Sequence, residues 1–383
     1  MRVLVCPLDW GLGHAARCIP LIRALLSAGH QVRIGAAAGG LELLRSEFPN
    51  LDFFDFPGYR VRYARRAWAF LPVLMLQAPR IFMGLREEGE RLRGIVAEKP
   101  CDLVISDGRY GLKIPGIPCI LITHQIAFRV PGRFPGRAWA ESLALRLNLA
   151  WLRRFDRVWV PDFEGELSLA GGLGRPGNVK ANLEWIGPLS RFAAQKEKPA
   201  ASADIAAVIS GPEPQRTLFE KALRAQLEGL TGTRVLVRGL PGSSADRNGA
   251  AGIRLGELNV FDHLPGDALA RLLAGARLLV ARSGYTTVME LAALGAPAPI
   301  LVPTPGQSEQ EHLASHLEAR GACVRMDQDA IDLASGRARA EGLPGFRAWR
   351  ERMGAGSRLD AIIASHPLLQ PGHPAMVPDG TQQ

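Results

Sequence analysis

A histidine lies in a glycine-rich loop that follows the first apolar run of the chain. The loop is Asp9-Trp-Gly-Leu-Gly-His-Ala-Ala-Arg17, and an amphipathic stretch comes directly after it. Ligands of open α/β sheets bind at the carboxyl ends of strands, so Gly13 and His14 are candidate site residues. The imidazole of His14 is largely neutral near pH 7 and can accept a proton from an attacking hydroxyl. The simpler interpretation is that His14 caps the helix that follows.

A carboxylate ends the fourth apolar run, in Leu103-Val-Ile-Ser-Asp-Gly108. A histidine that accepts a proton works better when a carboxylate stabilises its imidazolium, so Asp107 is the predicted partner of His14. Asp107 also fits a structural turn with Gly108. His124, in Ile122-Thr-His-Gln125, follows the fifth run and is a weaker candidate for an acceptor contact.

The second half contains a strand, a turn and a helix start in Ala276-Arg-Leu-Leu-Val-Ala-Arg-Ser-Gly-Tyr-Thr-Thr-Val-Met-Glu290. The free N–H groups and positive dipole end of such a helix suit a diphosphate near Ser283 and Gly284. Thr286 and Thr287 lie in the first turn of the helix. Glu290 lies two turns in, where its carboxylate can bind both hydroxyls of a ribose. The segment therefore predicts a nucleotide site without a Walker lysine.

A second loop, 303–310, follows the next apolar run and brings Gln307, Glu309 and Gln310 to the same edge. Amides and a carboxylate in this position can bind sugar hydroxyls. A dinucleotide site is disfavoured, although Gly11-Leu-Gly-His-Ala-Ala16 satisfies the pattern G-x-G-x-x-G/A. The second apolar run ends in Gly35-Ala-Ala-Ala38, which has no carboxylate for a ribose.

Short apolar runs alternate with amphipathic helical patterns, which predicts parallel sheets with helices on both faces. The predicted strands of the first half are Arg2–Pro7, Gln31–Ala36, Leu51–Phe56, Asp102–Ser106, Pro118–Ile122 and Arg157–Val160. The pattern restarts after the linker-like residues 190–203. The predicted strands of the second half are Asp204–Ser210, Thr233–Val237, Arg277–Ala281, Pro299–Val302 and Ala322–Arg325, and its helices are predicted to begin near Pro214, Gly266, Tyr285 and Glu309.

The domain prediction follows from this restart. Residues 1–188 form a Rossmann-like acceptor domain, and residues 204–343 form a Rossmann-like nucleotide-sugar domain. A last helix within 344–365, about Phe346 to Ser365, crosses back onto the first domain, and the Pro/Gly-rich residues 366–383 are predicted to be disordered.

Composition narrows the classes of protein. The chain has 383 residues and a formal net charge of +9, and residues 1–188 hold 25 Lys and Arg against 17 Asp and Glu. This excess predicts an anionic partner, unless it only reflects an arginine-rich composition. Five cysteines without C-x-x-C spacing predict reduced core thiols. We expect a cytoplasmic protein without a signal peptide or a transmembrane segment.

The chain resembles the GT-B glycosyltransferases, and within them the MurG-like group. The run Ser283-Gly-x-x-Thr287-Val-x-Glu290 matches the donor motif S-G-x-x-T-x-x-E of this group, and Gly11-Leu-Gly-His14 is similar to its N-terminal loop. The resemblance implies an α/β GT-B fold with two Rossmann-like domains facing across a cleft. It also implies that the glutamate binds ribose, the Ser/Thr loop binds phosphate and Glu309 with Gln310 meets the donor sugar.

The resemblance extends to two further loops. Phe261-Asp-His263-Leu264 is similar to the stretch whose backbone reads uracil, and Ser210-Gly211 belongs to a loop that is less glycine-rich than usual. Leu313 replaces an asparagine that usually follows the acidic-Gln pair, which leaves the donor sugar open.

The implied reaction is an inverting transfer from a nucleotide-sugar, with His14 as base, Asp107 as its partner and neither cofactor nor metal required. The only D-x-D, Asp327-Gln-Asp329, is interpreted as a helix cap. One rival is a nucleotide-sugar hydrolase of the pseudaminic-acid pathway type, and another is a non-catalytic nucleotide-sugar or lipid binding protein. A polyprenyl-linked acceptor and an anionic membrane surface are expected partners, and nucleic acid is not.

The membrane surface is predicted from basic and aromatic residues that alternate in 58–76. Arg60, Arg62, Arg65 and Arg66 precede Trp68, Phe70 and Leu71, and 129–137 with Arg153 and Arg154 extend the basic face. The alternative is that the apolar part of this run belongs to the core.

Overall fold

Fourteen strands form the framework of the part of the chain that the structure describes. The computed structural model describes residues 1–370 apart from 59–69, 131–135, 176–181, 194–202, 212, 241–252, 256 and 355–357. The strands of the first half are β1 (Arg2–Pro7), β2 (Gln31–Ala36), β3 (Asp52–Asp55), β4 (Leu103–Asp107), β5 (Cys119–Ile122), β6 (Arg157–Val160) and β7 (Leu183–Trp185). Those of the second half are β8 (Ala203–Val208), β9 (Arg234–Val237), β10 (Ile253–Leu255), β11 (Leu258–Phe261), β12 (Ala276–Ala281), β13 (Ile300–Leu301) and β14 (Val324–Arg325).

The helices alternate with these strands. They are α1 (Leu12–Ser27), α2 (Ala38–Glu47), α3 (Phe70–Glu98), α4 (Arg137–Leu152), α5 (Gln215–Glu228), α6 (Gly266–Gly275), α7 (Tyr285–Leu294), α8 (Ser308–Glu318), α9 (Leu333–Ala340), α10 (Arg347–Met353) and α11 (Arg358–Ser365). The strands β1, β4 and β12 are almost completely buried, which is typical of parallel sheets covered by helices on both faces.

Each half builds one seven-stranded sheet. The first has the order β3-β2-β1-β4-β5-β6-β7, and the second has the order β10-β11-β9-β8-β12-β13-β14. Within the described ranges, every strand pair is parallel except β10 with β11, which is antiparallel. The strand order reverses between β1 and β4 and again between β8 and β12, so each sheet has a crevice at its carboxyl edge where ligands of this architecture bind.

The two halves pack against each other through α1 and α7. The Tyr285 hydroxyl, at the start of α7, donates to the carbonyl of Pro161 at 2.8 Å. The Leu189 amide approaches the sulfur of Met289 at 3.3 Å. Tyr285, Met289 and Leu189 are buried in one core together with apolar residues of α1. The two crevices are therefore held face to face.

The last part of the chain differs from its prediction. The single helix expected over 346–365 is two helices, α10 and α11, with 355–357 outside the described residues. The first packs on α7 and the second on α1. The prediction of disorder from residue 366 is wrong for 366–370, because His366, Leu368 and Leu369 are buried. His366 Nε2 lies 3.2 Å from a carboxylate oxygen of Glu184, and 371–383 lie outside the described residues.

Three short strands, β7, β10 and β11, were not predicted. They contain three or four residues, and their pairing partners decide their extended form rather than a local apolar pattern. The cap predicted at Asp327 is confirmed in position only. Asp327 precedes the 3-10 helix Gln328–Ala330, but its side chain makes no cap hydrogen bond and binds Arg325 at 2.9 Å. Asp332 caps α9, where its side chain accepts from two backbone N–H groups.

The five cysteines are free, and four of them are buried. None of the helices in the described part of the chain combines the length and the apolar character needed to cross a bilayer.

Candidate active site

His14 and Asp107 meet in the crevice of the first sheet. His14 lies in the first turn of α1, and Asp107 is the last residue of β4. Because β1 and β4 are neighbours, with Pro7 paired to Asp107, their carboxyl ends bring the two side chains together. His14 Nδ1 lies 2.9 Å from Asp107 Oδ2. The sequence therefore predicted a contact that the tertiary structure makes.

Arg17 is a member of this site that we did not predict. It lies one turn after His14 on α1 and is buried, with 3% of its side chain exposed. Its Nε donates to both oxygens of Asp107, at 2.8 and 2.9 Å. Residues three positions apart on a helix lie on the same face, so the spacing of His14 and Arg17 could have indicated that Arg17 belongs to this site.

Burial and this ion pair act on the ionisation of the site. Burial alone would raise the pKa of Asp107, but the charges of Arg17 and His14 outweigh it and bring the pKa to about 2. Burial and the Arg17 cation lower the pKa of His14, although Asp107 acts in the opposite direction. The arrangement thus combines an ionised carboxylate with a neutral imidazole at neutral pH.

Gly108 leaves room for the His14 ring. Its φ of +74° lies in the left-handed region, and a Cβ at this position would lie 2.8 Å from His14 Cε1. Glycine is therefore required both by the backbone conformation and by the close approach of the ring.

The start of α7 faces this pair from the other sheet. Gly284 precedes the helix, and no side chain caps its first turn, so backbone N–H groups remain available to an anion. The Thr286 hydroxyl donates to the carbonyl of Gly13 at 3.0 Å. Gly13 and Thr286 come from different halves of the chain, and the structure places them in contact across the cleft.

The remaining residues predicted for phosphate surround this helix start. The Ser283 hydroxyl is fully buried and donates to the Gln310 carbonyl at 2.8 Å, so it braces the neighbouring loop. Thr287 lies next to Gly284. Ser210 and Gly211 follow β8, and Gly211 adopts a φ of +110° beside Thr304.

Glu290 is buried and paired with Arg191, which comes from the segment between the two halves. Arg191 Nε donates to Glu290 Oε1 at 2.9 Å. Burial raises the pKa of Glu290, and Arg191 offsets part of this effect. Arg191 is a second residue that we did not predict, since its partner lies 99 positions away in the sequence.

The loop after β13 is ordered by its own amides. Gln310 Oε1 accepts from the Thr304 N–H at 2.9 Å, and Gln310 Nε2 donates to Gln307 Oε1 at 2.5 Å. Both amides are thus held at the start of α8, next to Ser283.

Glu309 crosses the cleft. His124 Nε2 lies 2.7 Å from Glu309 Oε1, and the Gln125 amide donates to Glu309 Oε2. The His124 ring is stacked on Tyr285, with centroids 3.9 Å apart. Burial would raise the pKa of Glu309, but His124, Arg17 and His14 outweigh it and lower this pKa. His124 therefore belongs to the site.

Arg282, in the loop after β12, also contacts the loops after β8 and β13. Its guanidinium lies 3.9 Å from the Phe219 ring centroid and donates to the carbonyls of Pro303 at 3.0 Å and Gln215 at 3.1 Å. Burial lowers the pKa of Arg282 to about 9. The loops after β8, β12 and β13 thereby share one rigid support.

The residues predicted for base recognition lie at the next strand end. His263 and Leu264 follow β11, and the Leu264 side chain is buried in the core. Among the described residues, no three His, Cys, Asp or Glu side chains form a group that could hold a metal ion.

Comparison with known proteins agrees with this architecture. The profile of the glycosyltransferase family 28 C-terminal domain matches residues 258–335, which include β12, α7 and the start of α8. The structure of the spinosyn rhamnosyltransferase SpnG in complex with thymidine diphosphate aligns with a TM-score of 0.62. The alignment covers 95% of this chain and 99% of that one, at 18% identity. The chain is a GT-B glycosyltransferase.

Two sequence relatives place this glycosyltransferase more closely. An uncharacterised glycosyltransferase of Methanosarcina acetivorans is 24% identical over 336 residues, or 84% of each chain. The UDP-N-acetylglucosamine--N-acetylmuramyl-(pentapeptide) pyrophosphoryl-undecaprenol N-acetylglucosamine transferase of Acidiphilium cryptum is 34% identical over 170 residues. That match covers 42% of this chain and 45% of the relative. The glycosyltransferase is therefore MurG-like, as its donor motif predicted.

Proposed function

We propose that the glycosyltransferase is an inverting enzyme that moves a sugar from a UDP-sugar to a hydroxyl or phosphate acceptor. One observation carries the proposal: the His14–Asp107 pair, 2.9 Å apart, faces the uncapped start of α7 across the cleft. A proton acceptor and an anion site on opposite sides are what a direct displacement at an anomeric carbon needs.

The donor lies in the second half of the chain in this proposal. Its diphosphate binds the first N–H groups of α7, with Ser283, Gly284, Thr286 and Thr287 around it and Ser210 and Gly211 nearby. Glu290 binds the ribose. The backbone at His263 and Leu264 meets the base, and Gln307, Glu309 and Gln310 meet the sugar.

A UDP-linked donor is supported by the name of the Acidiphilium cryptum relative, which specifies UDP-N-acetylglucosamine. The SpnG structure contains thymidine diphosphate, so a pyrimidine nucleoside diphosphate is common to both. A comparison of UDP-sugars with dTDP-sugars as donors therefore tests whether the site prefers uracil or thymine.

The chemical step needs one proton transfer and one substitution. The acceptor O–H gives its proton to His14, and the acceptor oxygen bonds to the anomeric carbon. The bond from that carbon to the diphosphate breaks on the opposite face, which inverts the configuration. Asp107 stabilises the imidazolium, and the start of α7 stabilises the charge of the leaving diphosphate without a metal ion.

An exposed apolar face supports a membrane-bound acceptor. The face consists of side chains on α3 and α4: Leu76, Phe82, Met83, Trp139, Leu143 and Leu147. Leu76 is 82% exposed and Trp139 is 70% exposed. Phe82 contacts Trp151, which joins the two helices into one surface. Exposed arginines, Arg80, Arg146, Arg153 and Arg154, lie on or beside the same helices.

We propose that this apolar face and its arginines contact an anionic membrane surface. A lipid-linked acceptor is consistent with the pyrophosphoryl-undecaprenol in the name of the Acidiphilium cryptum relative. Arg60, Arg62, Arg65, Arg66 and Trp68 of the predicted face lie outside the described residues, as do the side chains of Phe70 and Leu71. Arg129 and Arg137 both form ion pairs with Glu141, which reduces their availability for lipid phosphates.

The test is incubation with UDP-, GDP- and dTDP-sugars, with and without polyprenyl phosphates, while released nucleotide is measured. Release that requires an acceptor supports the transferase, and release without one favours a hydrolase. We expect His14→Ala to lower turnover by roughly 100-fold or more with nucleotide binding intact. Full activity of this variant would contradict the assignment of the base.

A further inference from the structure

The basic side chain closest to the proposed catalytic pair is Arg17. We infer that Arg17 is a positioning residue that keeps Asp107 ionised and makes His14 a neutral base with its Nε2 lone pair toward the cleft. The inference rests on the proposed role of His14 and adds a residue to which neither the donor motif nor the comparisons give a role.

The geometry of Arg17 is that of a dedicated carboxylate partner. Its Nε reaches both oxygens of Asp107, and its Nη2 lies 2.5 Å from Asp107 Oδ1. The Asp107 side chain is 0% exposed and that of Arg17 is 3% exposed, so neither charge is compensated by water. Each ion therefore depends on the other to remain charged in the interior.

The Arg17 guanidinium also influences which ring nitrogen of His14 carries the hydrogen. His14 Nδ1 lies 2.9 Å from Asp107 Oδ2 and also 2.9 Å from Arg17 Nη2. An ionised carboxylate only accepts hydrogen bonds and a guanidinium only donates them. The two contacts of Nδ1 need opposite tautomers, because it would donate to Asp107 and accept from Arg17. Arg17 Nη2 has another acceptor in Asp107 Oδ1, 2.5 Å away, so in our inference Nδ1–H donates to the ionised Oδ2 and Nε2 has the free lone pair that a base requires. A neutral, protonated Asp107 would turn the ring to the opposite tautomer.

Among the described residues, four titratable or charged groups from the elements around His14 act electrostatically with its ring. They are Arg17 on the same helix, Asp107 at the end of β4, His124 after β5 and Glu309 on α8. Burial is the largest effect that disfavours the imidazolium, and the Arg17 cation acts in the same direction. Asp107 opposes both. Replacement of Arg17 by a neutral side chain therefore raises the pH at which the His14–Asp107 pair takes up a proton, whichever member binds it. The acidic limb of the pH–rate profile then moves to higher pH.

The test compares Arg17→Met with Arg23→Met. Arg23 lies on the same helix in an exposed ion pair with Glu47, so its replacement controls for a change of charge on α1. We expect Arg17→Met to lower kcat near pH 7 by roughly tenfold or more and to move the acidic limb upward. Arg23→Met leaves both unchanged. An unmoved limb in a folded Arg17→Met protein would overturn the inference.

Arg17→Met leaves Asp107 buried without its partner, so this variant can fail to fold. A double variant keeps the inference testable in that case. In Arg17→Met/Asp107→Asn both charges are removed, and the neutral pair is tolerated better than one lone charge. If Arg17 acts through Asp107, the double variant is no less active than Asp107→Asn alone. A further loss of tenfold or more in the double variant would overturn the inference.

A measurement without turnover separates this inference from the proposed function. The His14 ring among the eight histidines is identified by the NMR signals that are missing from His14→Ala. We expect the Nδ1–H tautomer in the wild type. In Arg17→Met we expect the signals of this ring to change at a higher pH than in the wild type, because the His14–Asp107 pair takes up its proton there. The opposite tautomer in the wild type would refute the role of Arg17, whereas an active His14→Ala enzyme would refute the base itself.

Discussion

His124 Nε2 lies 2.7 Å from Glu309 Oε1, although the two residues are 185 positions apart and belong to different halves of the chain. The carboxylate proposed for the donor sugar is thus bound by a residue of the opposite half. The His124 ring also stacks on Tyr285, and the Tyr285 hydroxyl donates a hydrogen bond to the carbonyl of Pro161. Donor recognition and contact between the halves therefore share the same side chains.

Glu309→Gln should weaken binding of the sugar but not of the nucleotide. A hydrogen bond to a charged group contributes about 1.5–3 kcal/mol, so we expect the donor KM to rise by roughly tenfold to 100-fold. Thermal shifts with UDP and with the UDP-sugar separate the two contributions. An equal loss for both ligands would place Glu309 away from the sugar.

Glu290→Ala should remove most of the stabilisation by UDP. A ligand at 100 times its Kd stabilises the folded protein by about 2.7 kcal/mol, which raises the melting temperature. Because Arg191 loses its partner in this variant, the melting temperature without ligand is the baseline for each protein. If the variant shifts as much as the wild type, the ribose is bound elsewhere.

Asp107→Asn should flatten the acid dependence of stability. The pKa of Asp107 is lowered from its ordinary value of 3.8 to about 2 in the folded protein. Its ion pair therefore stabilises the fold above pH 4, by about 2 kcal/mol, and this contribution is lost as the pH falls from about 4 through 2. Urea unfolding at pH 2, 3, 4 and 7 measures the effect. Parallel curves for the two proteins would disprove it.

Gly108→Ala should impair catalysis through His14, since the new Cβ would lie 2.8 Å from the ring. Gly116→Ala is a matched control: Gly116 has a φ of +82° but no atom near its Cβ position. Both variants carry a backbone strain of about 1–2 kcal/mol. We expect a drop in kcat of roughly tenfold or more only for Gly108→Ala. Equal drops would mean that strain alone is responsible.

The apolar face should bind anionic vesicles reversibly. Each arginine near the surface contributes about 1 kcal/mol, so binding weakens at high salt. Flotation with phosphatidylglycerol vesicles should show a loss for Trp139→Ser/Leu147→Ser. Leu218→Ser, which changes an exposed leucine on α5, should bind as the wild type does. Equal partitioning onto neutral vesicles, or none onto either kind, would point to a soluble acceptor.

The sequence by itself determined the strand ends that carry the site. Buried parallel strands are continuous apolar runs, and Gly13, Asp107 and Ser283 each follow or end such a run, so local patterns were enough to place them. The donor motif and the position of Glu290 two turns into α7 were readable for the same reason.

Only the tertiary structure decided the partners of these residues. Arg17 with Asp107, Arg191 with Glu290 and His124 with Glu309 join positions that are 90 to 185 residues apart. A charge excess in the first half indicates that arginines are present, but it does not say which carboxylate each one meets. Pairing depends on which elements the sheets place side by side and which side chains lose their water, and neither is encoded in a local pattern.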